Sequence, residues 1–384
     1  MFFEVNPFVT KGYAGPEYFC DREQETDDII RFMSSGNNIA LMSPRRIGKT
    51  DLLQHCFSQP AIKTNCHTFI VDIYNTCSMR DFVNVLGMSI ISELRPKGRA
   101  VWEQFLNVLR SLKQDISFDI NGAPVWGLSV GQIENPDQTL SEIFEYINTA
   151  DRPCFIAIDE FQQITRYNKD EAWRVEASLR TYIQKCKNGT FIFAGSHRHL
   201  MSEIFLSPER PFYQQVTMMK LKPIDIDKYK QFAREKFENG ERHLDESVVP
   251  ALFERFESVT AYIQRVMNVL YDRTPRGETC TVEMIDMAID KVLDMASDAY
   301  ETLLYQMPEK QRNVFLAIAS AGKAESVTGG QFIRRYRLSS ASSVSSALKG
   351  LLEKDFVTEE RGVYWVYDLF FVLWLKRERY ISTK

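Results

Sequence analysis

The stretch NNIALMSPRRIGKTDLL, residues 37–53, limits the fold more than any other part of the chain. A short apolar run (37–42) leads into a loop carrying Gly48-Lys49-Thr50. Apolar residues at helical spacing, Leu52, Leu53, Cys56 and Phe57, follow. Strand, loop and helix in that order turn backbone N–H groups and a helix N-terminus toward an anion. The loop ends like the phosphate-binding pattern G-x-x-x-x-G-K-[ST], but Ser43 stands where its first glycine belongs. Glycine there tolerates positive φ and close backbone approach, whereas serine needs a more ordinary backbone. Gly48, at the critical approach to the phosphates, is retained, so nucleotide binding is expected to survive. The expected cradle comprises Ser43, Pro44, Arg45, Arg46, Ile47, Gly48, Lys49, Thr50 and Asp51. Lys49 would neutralise the β- and γ-phosphates of ATP and the Thr50 hydroxyl would bind Mg²⁺. Arg45 and Arg46 fit phosphate contacts, bracing of the lid, or a structural pair with a salt bridge.

The alternation recurs along the chain. HTFIVDIY (67–74), PCFIAIDEF (153–161) and TFIFAGS (190–196) each precede a helical pattern, and VTMMKLKPI (216–224) reads as a fifth strand. Strands separated by helices at this spacing imply right-handed crossovers, so the expected fold is α/β: a P-loop NTPase with a parallel five-stranded sheet and helices on both faces. DISFDINGAPVWGLSVG (115–131) alternates and then reaches Asn121-Gly122, which predicts an inserted hairpin. From 225 to 306 the pattern is helical throughout, as in a lid subdomain. From 307 to 384 the order helix, helix, helix, two-strand wing predicts a winged helix. The expected domains are therefore 1–224, 225–306 and 307–384.

A second signature lies about 110 residues beyond the loop. In FIAIDEF the apolar residues 155–158 bury a strand, and Asp159 and Glu160 follow at its C-terminal end, where open α/β sheets bind ligands. Asp159 would join Thr50 in the Mg²⁺ shell, and Glu160 would orient and polarise the attacking water.

Composition narrows the classes. A 384-residue chain that is 44% hydrophobic can bury a core in two or three domains. Its apolar runs fall well short of the ~20 residues that span a bilayer, and its start lacks a basic leader, so a cytoplasmic chain with no membrane partner is expected. The seven cysteines are dispersed without a C-x-x-C pair and read as reduced core thiols. Net charge is −4, but residues 307–384 hold 13 Lys and Arg against 8 Asp and Glu. That asymmetry fits a nucleic-acid-binding end or an ordinary mixed surface.

FCDREQE (19–25), SPRRIGKTDLL (43–53), IDEFQQI (158–164), FAGSHRHLM (193–201) and VYDLFFVLWLKR (366–377) together resemble the archaeal- and bacterial-type P-loop ATPases of the AAA+/STAND group, relatives of the origin-recognition initiators. The resemblance spans nearly the whole chain. It implies that the segment with Phe19, Arg22 and Glu23 lies near the adenine, that Ser196 is a polar sensor, and that Arg210 stands where many members carry an arginine finger. The chain departs from the family form at Asp21, where a glycine is usual, and at SVTAYIQRV, which replaces a G-x-P turn and weakens Arg265 as a second sensor.

The leading expectation is an ATP-binding, ATP-hydrolysing switch that moves the lid and winged helix. An alternative is a regulator that binds double-stranded DNA through the winged helix, with ATP secondary. Its third helix, near 339–354, offers only Lys349 and Lys354, while IRRYR just before it holds Arg334, Arg335 and Arg337. Winged helices also dock proteins, so an unnamed protein client, or an ATP-assembled signalling or defence scaffold, stays open, as does oligomeric state.

Overall fold

A computed structural model describes residues 5–94, 116–118, 124–126 and 133–381. These fall into two compact units, one of Lys11–Lys228 and one of Met1–Thr10 with Tyr229–Lys384.

The first unit is built on five parallel strands, β1 (Ile39–Met42), β2 (His67–Asp72), β3 (Cys154–Asp159), β4 (Gly189–Gly195) and β5 (Thr217–Lys220), ordered β2-β3-β4-β1-β5. Alternation along each strand separates two cores. Ile39, Leu41, Phe155, Ala157, Ile192 and Ala194 face α1 (Glu23–Ser34) and α2 (Lys49–Ser58), packing with Ile29, Met33, Leu52 and Leu53. Ala40, Met42, Ile156, Ile158, Phe191 and Phe193 face the other way. There α3 (Met79–Glu93), α4 (Pro136–Asn148), α5 (Lys169–Lys185) and α6 (Arg198–Leu206) cover them. Apolar residues on both faces are what a buried parallel sheet requires. Three of these helices start on side-chain caps: Ser78, Asn135 and Asn168 accept from the backbone N–H of Asp81, Gln138 and Glu171.

Two details depart from the sequence expectation. The acid strand ends at Asp159 rather than running on to Phe161, because Glu160 adopts a left-handed conformation (φ 55°), and a 3₁₀ turn (Phe161–Arg166) precedes α5. Helix α4 had no counterpart in the sequence reading. The inserted hairpin is present as Ile116–Phe118 paired antiparallel with Pro124–Trp126; its Asn121-Gly122 turn lies outside the described residues.

The second unit contains most of the helix Ile226–Asn239, then Val248–Arg255, Thr260–Arg273 and Met284–Gln306. A short parallel bridge, His243–Leu244 with Thr279–Cys280, interrupts what the sequence suggested was purely helical. The N-terminal residues belong here: Phe8 is fully buried against Phe232, Phe237 and Tyr271, and Asn268 Nδ2 donates to the Phe8 carbonyl. Residues 309–377 follow the winged-helix order. Helices Glu309–Ala321 and Ala341–Glu353 bury Phe315, Val344, Leu348 and Leu351 beside a three-stranded sheet, Ala324–Glu325, Val363–Val366 and Val357–Glu360, while the helix between them, Gly330–Arg335, has no buried residue. Helix Leu369–Arg377 closes the unit. Among the described residues, no helix is long and apolar enough to cross a membrane.

Candidate active site

Strand register fixes what meets at the C-terminal edge of the sheet. Met42 lies opposite Gly195, and Asp72 opposite Asp159, so the loop after β1, the acids after β3 and Ser196 after β4 open on one side. In the loop the left-handed conformation falls at Arg46 (φ 66°) and Gly48 (φ 85°), not at Ser43. Ser43 instead continues the sheet, its N–H donating to the Gly195 carbonyl at 3.2 Å. The missing first glycine is thus not needed for backbone geometry. Gly48 is needed, since its φ strains any L side chain even though a Cβ there would meet nothing within 4 Å. The Ser43 hydroxyl is buried and has no hydrogen-bond partner among the described residues.

Lys49 opens α2 and is only 7% exposed. Its ammonium lies 2.6 Å from Asp159 Oδ1 and 3.2 Å from Glu160 Oε1. Thr50 Oγ1 donates to Asp159 Oδ2 at 2.6 Å. Lys49, Thr50, Asp159 and Glu160 therefore form one contiguous cluster. Asp159 and Thr50 offer adjacent hard oxygens, the donor type Mg²⁺ prefers, with phosphates and waters left to complete an octahedral shell. The group fits these residues.

Glu160 is bonded at both carboxylate oxygens. Its Oε2 accepts from Ser196 Oγ at 3.0 Å and from Gln162 Nε2, while Lys49 holds Oε1. Burial raises the carboxyl most, but the Lys49 charge and the bonds from Gln162, Ser196 and Lys49 outweigh it and hold Glu160 below the ordinary carboxylate range. Ser196 is linked back to the loop: Arg45 Nε donates to Ser196 Oγ at 3.1 Å, and Arg45 Nη2 reaches His197 Nε2 at 2.9 Å. Arg45 thus joins the loop to the residues that follow β4. Burial pushes the Asp51 carboxyl up.

The other expected residues are placed as follows. Phe19 stacks on His55 of α2 with centroids 4.2 Å apart, and Tyr13 closes the cluster by bonding the His55 ring. Arg22 is buried, paired with Glu25 at 2.8 Å, and its Nη2 has no hydrogen-bond partner among the described residues. Asp21, the departure from the family form, adopts φ 61°, which explains why a glycine is usual there. Its carboxylate accepts from Asp225 N and Lys228 Nζ, and Lys228 also reaches Glu23, which faces solvent. Arg210 sits 2.6 Å from Glu176, which is fully buried, and 4.0 Å from Glu203. Arg210 is thus ion-paired within its own chain. Sequence reasoning passed over Gln162, whose reach across to Glu160 depends on a 3₁₀ turn that no periodicity announced.

This fold and constellation define a P-loop ATPase core followed by a winged helix. The sequence matches the family described as "ATPase domain predominantly from Archaea" over residues 19–264, and a "probable winged helix domain" over residues 298–377. The chain belongs to that ATPase family. Among solved structures it is similar to the Walker-type ATPase PABY2304 of Pyrococcus abyssi (16% identity, 96% of this chain and 99% of that one, TM-score 0.61). It is also similar to the ORC1 protein of Aeropyrum pernix in complex with DNA (14%, 95% and 94%, 0.53) and to ORC2 of the same organism (13%, 94% and 93%, 0.53). At these identities the likeness is one of fold. No curated protein matches the chain.

Proposed function

We propose that this protein binds Mg²⁺-ATP in the loop 43–51, hydrolyses it with Glu160 as the water-orienting base, and uses the change of nucleotide state to reposition residues 225–306 and the winged helix. The observation that carries the reading is the cluster of Lys49, Thr50, Asp159 and Glu160 within hydrogen-bonding reach of one another. Lys49 would leave the two carboxylates for the β- and γ-phosphates, and Ser196 would sense the terminal phosphate. Thr50 and Asp159 would hold Mg²⁺, which when bound neutralises phosphate charge. Phe19 and Arg22 would flank the base. The test is binding and turnover of radiolabelled ATP with Mg²⁺ by purified protein; the absence of both would refute the proposal.

A specific observation favours a second role. Arg334, Arg335 and Arg337 are all exposed in and just after the helix Gly330–Arg335, and the exposed face of the next helix holds Ser342, Ser345, Ser346 and Lys349. Guanidinium and hydroxyl groups suit the phosphates of double-stranded DNA. Replacing the three arginines by Ala should abolish a low-salt gel shift of mixed-sequence duplex. A wild-type protein that shifts no DNA at low salt removes this role.

A further inference from the structure

We propose that Gln162 is a positioning residue: it tethers one oxygen of Glu160 so that the other is left to face the attacking water once Lys49 turns to the phosphates. This rests on the ATPase reading above.

The two oxygens of Glu160 are held unequally. Oε2 is bonded by Gln162 Nε2 and by Ser196 Oγ, neutral donors that belong to the scaffold. Among the described residues, the only donor to Oε1 is Lys49, a cation that an arriving triphosphate would recruit. Substrate binding would then strip Oε1 and leave Oε2 anchored. A carboxylate anchored at one oxygen keeps its orientation while presenting a free lone pair, which a water-orienting group requires.

Gln162 is built for this. It is buried on the 3₁₀ turn Phe161–Arg166, and its Oε1 accepts the Ser196 backbone N–H at 3.2 Å. A backbone N–H can only donate, so the amide must turn its oxygen to Ser196 and its NH₂ to Glu160. The side chain lies across Gly195, where a Cβ would come within 2.5 Å of Gln162 Oε1. The bond directions also agree at Ser196: Arg45 Nε donates to Oγ, which leaves the hydroxyl proton for Glu160. Gln162 thus joins the acid after β3 to the polar residue after β4, and through Ser196 to the loop.

The test uses the full chain with Gln162→Met, which keeps length and volume but removes the amide. Steady-state ATPase, Mg²⁺-ATP affinity by a fluorescent analogue, and thermal melting are measured together. kcat should fall about 10- to 100-fold, the scale of one hydrogen bond to a charged group. KM and Kd should stay within about 3-fold. In a Glu160→Gln background, read by single turnover, Gln162→Met should cost less than about 2-fold more, because it acts through Glu160. If Gln162→Met does not fold, Gln162→Glu carries the same test, since it keeps the acceptor for Ser196 and replaces the donor to Glu160. An unchanged kcat, an equal loss in the Glu160→Gln background, or a Kd that worsens in step with kcat overturns the proposal alone. Wild-type protein without turnover overturns both the proposal and the ATPase reading beneath it.

Discussion

Replacing Lys49 by Met should destabilise the protein before any nucleotide is added. The ammonium is nearly buried and lies 2.6 and 3.2 Å from two carboxylates that are themselves largely shielded. At an effective dielectric near 20 the gross attractions are roughly 6 and 5 kcal/mol, most of which offsets the desolvation of the three groups. Removing only the cation forfeits the attraction but keeps the burial of two adjacent anions. The net loss should be about 3–5 kcal/mol, the usual result of breaking a buried pair. For a folding unit of this size that lowers Tm by about 10 °C. Urea denaturation of both proteins without nucleotide, repeated with Mg²⁺, is the measurement. The unpaired carboxylates should attract the divalent cation, so Mg²⁺ should stabilise the variant more than the wild type. A loss below about 1 kcal/mol, or equal Mg²⁺ effects, would refute this account of the cluster.

Other expectations follow from the same geometry. Glu160→Gln should keep ATP affinity within a few-fold and lower turnover by roughly 10²-fold, the scale of a lost general base; unaffected turnover in a steady-state assay would make Glu160 a structural acid. Ser43→Gly should leave ATP affinity within tenfold, because Ser43 is not in a left-handed conformation and a glycine relaxes nothing there; a hundredfold gain by titration calorimetry would contradict this. Burial pushes the Glu176 carboxyl up from 4.5 to about 7, opposed by Arg210. The folded state therefore keeps a proton that the unfolded chain gives up, and stability should fall as pH rises from about 4.5 to about 7, by at most roughly 3 kcal/mol. Unfolding free energies across that range should be flatter for Glu176→Gln, and parallel curves would contradict the assignment.

Much of the first unit was legible because each strand is short, apolar and followed by a helical period, a pattern only a buried parallel sheet satisfies. The Lys49, Thr50, Asp159 and Glu160 set was legible because each residue type is tied to one chemistry at a strand end. Strand order was not, since nothing local in β4 says that it pairs with both β1 and β3. Helix α4 was missed although Asn135-Pro136 is a cap followed by a favoured first-turn proline. Gln162 and the pairing of Arg210 with Glu176 are tertiary facts: the partners lie 36 or fewer residues apart in sequence, but only the folded strand ends bring them together. Asp21 could have been read, because a residue standing in for glycine is an invitation to look for positive φ.

The place of β4 between β1 and β3 sets a width. Two inter-strand spacings, about 10 Å in all, separate the strand that leads into the loop from the strand that ends at Asp159, and Lys49 and Thr50 at the start of α2 both reach across to that acid. A terminal phosphate with a water beyond it needs comparable room. Were the two strands neighbours, that separation would halve. The sheet thus acts as a ruler: the clearance is fixed by backbone hydrogen bonds, and substitutions of side chains around it can alter what fills the space but not its span.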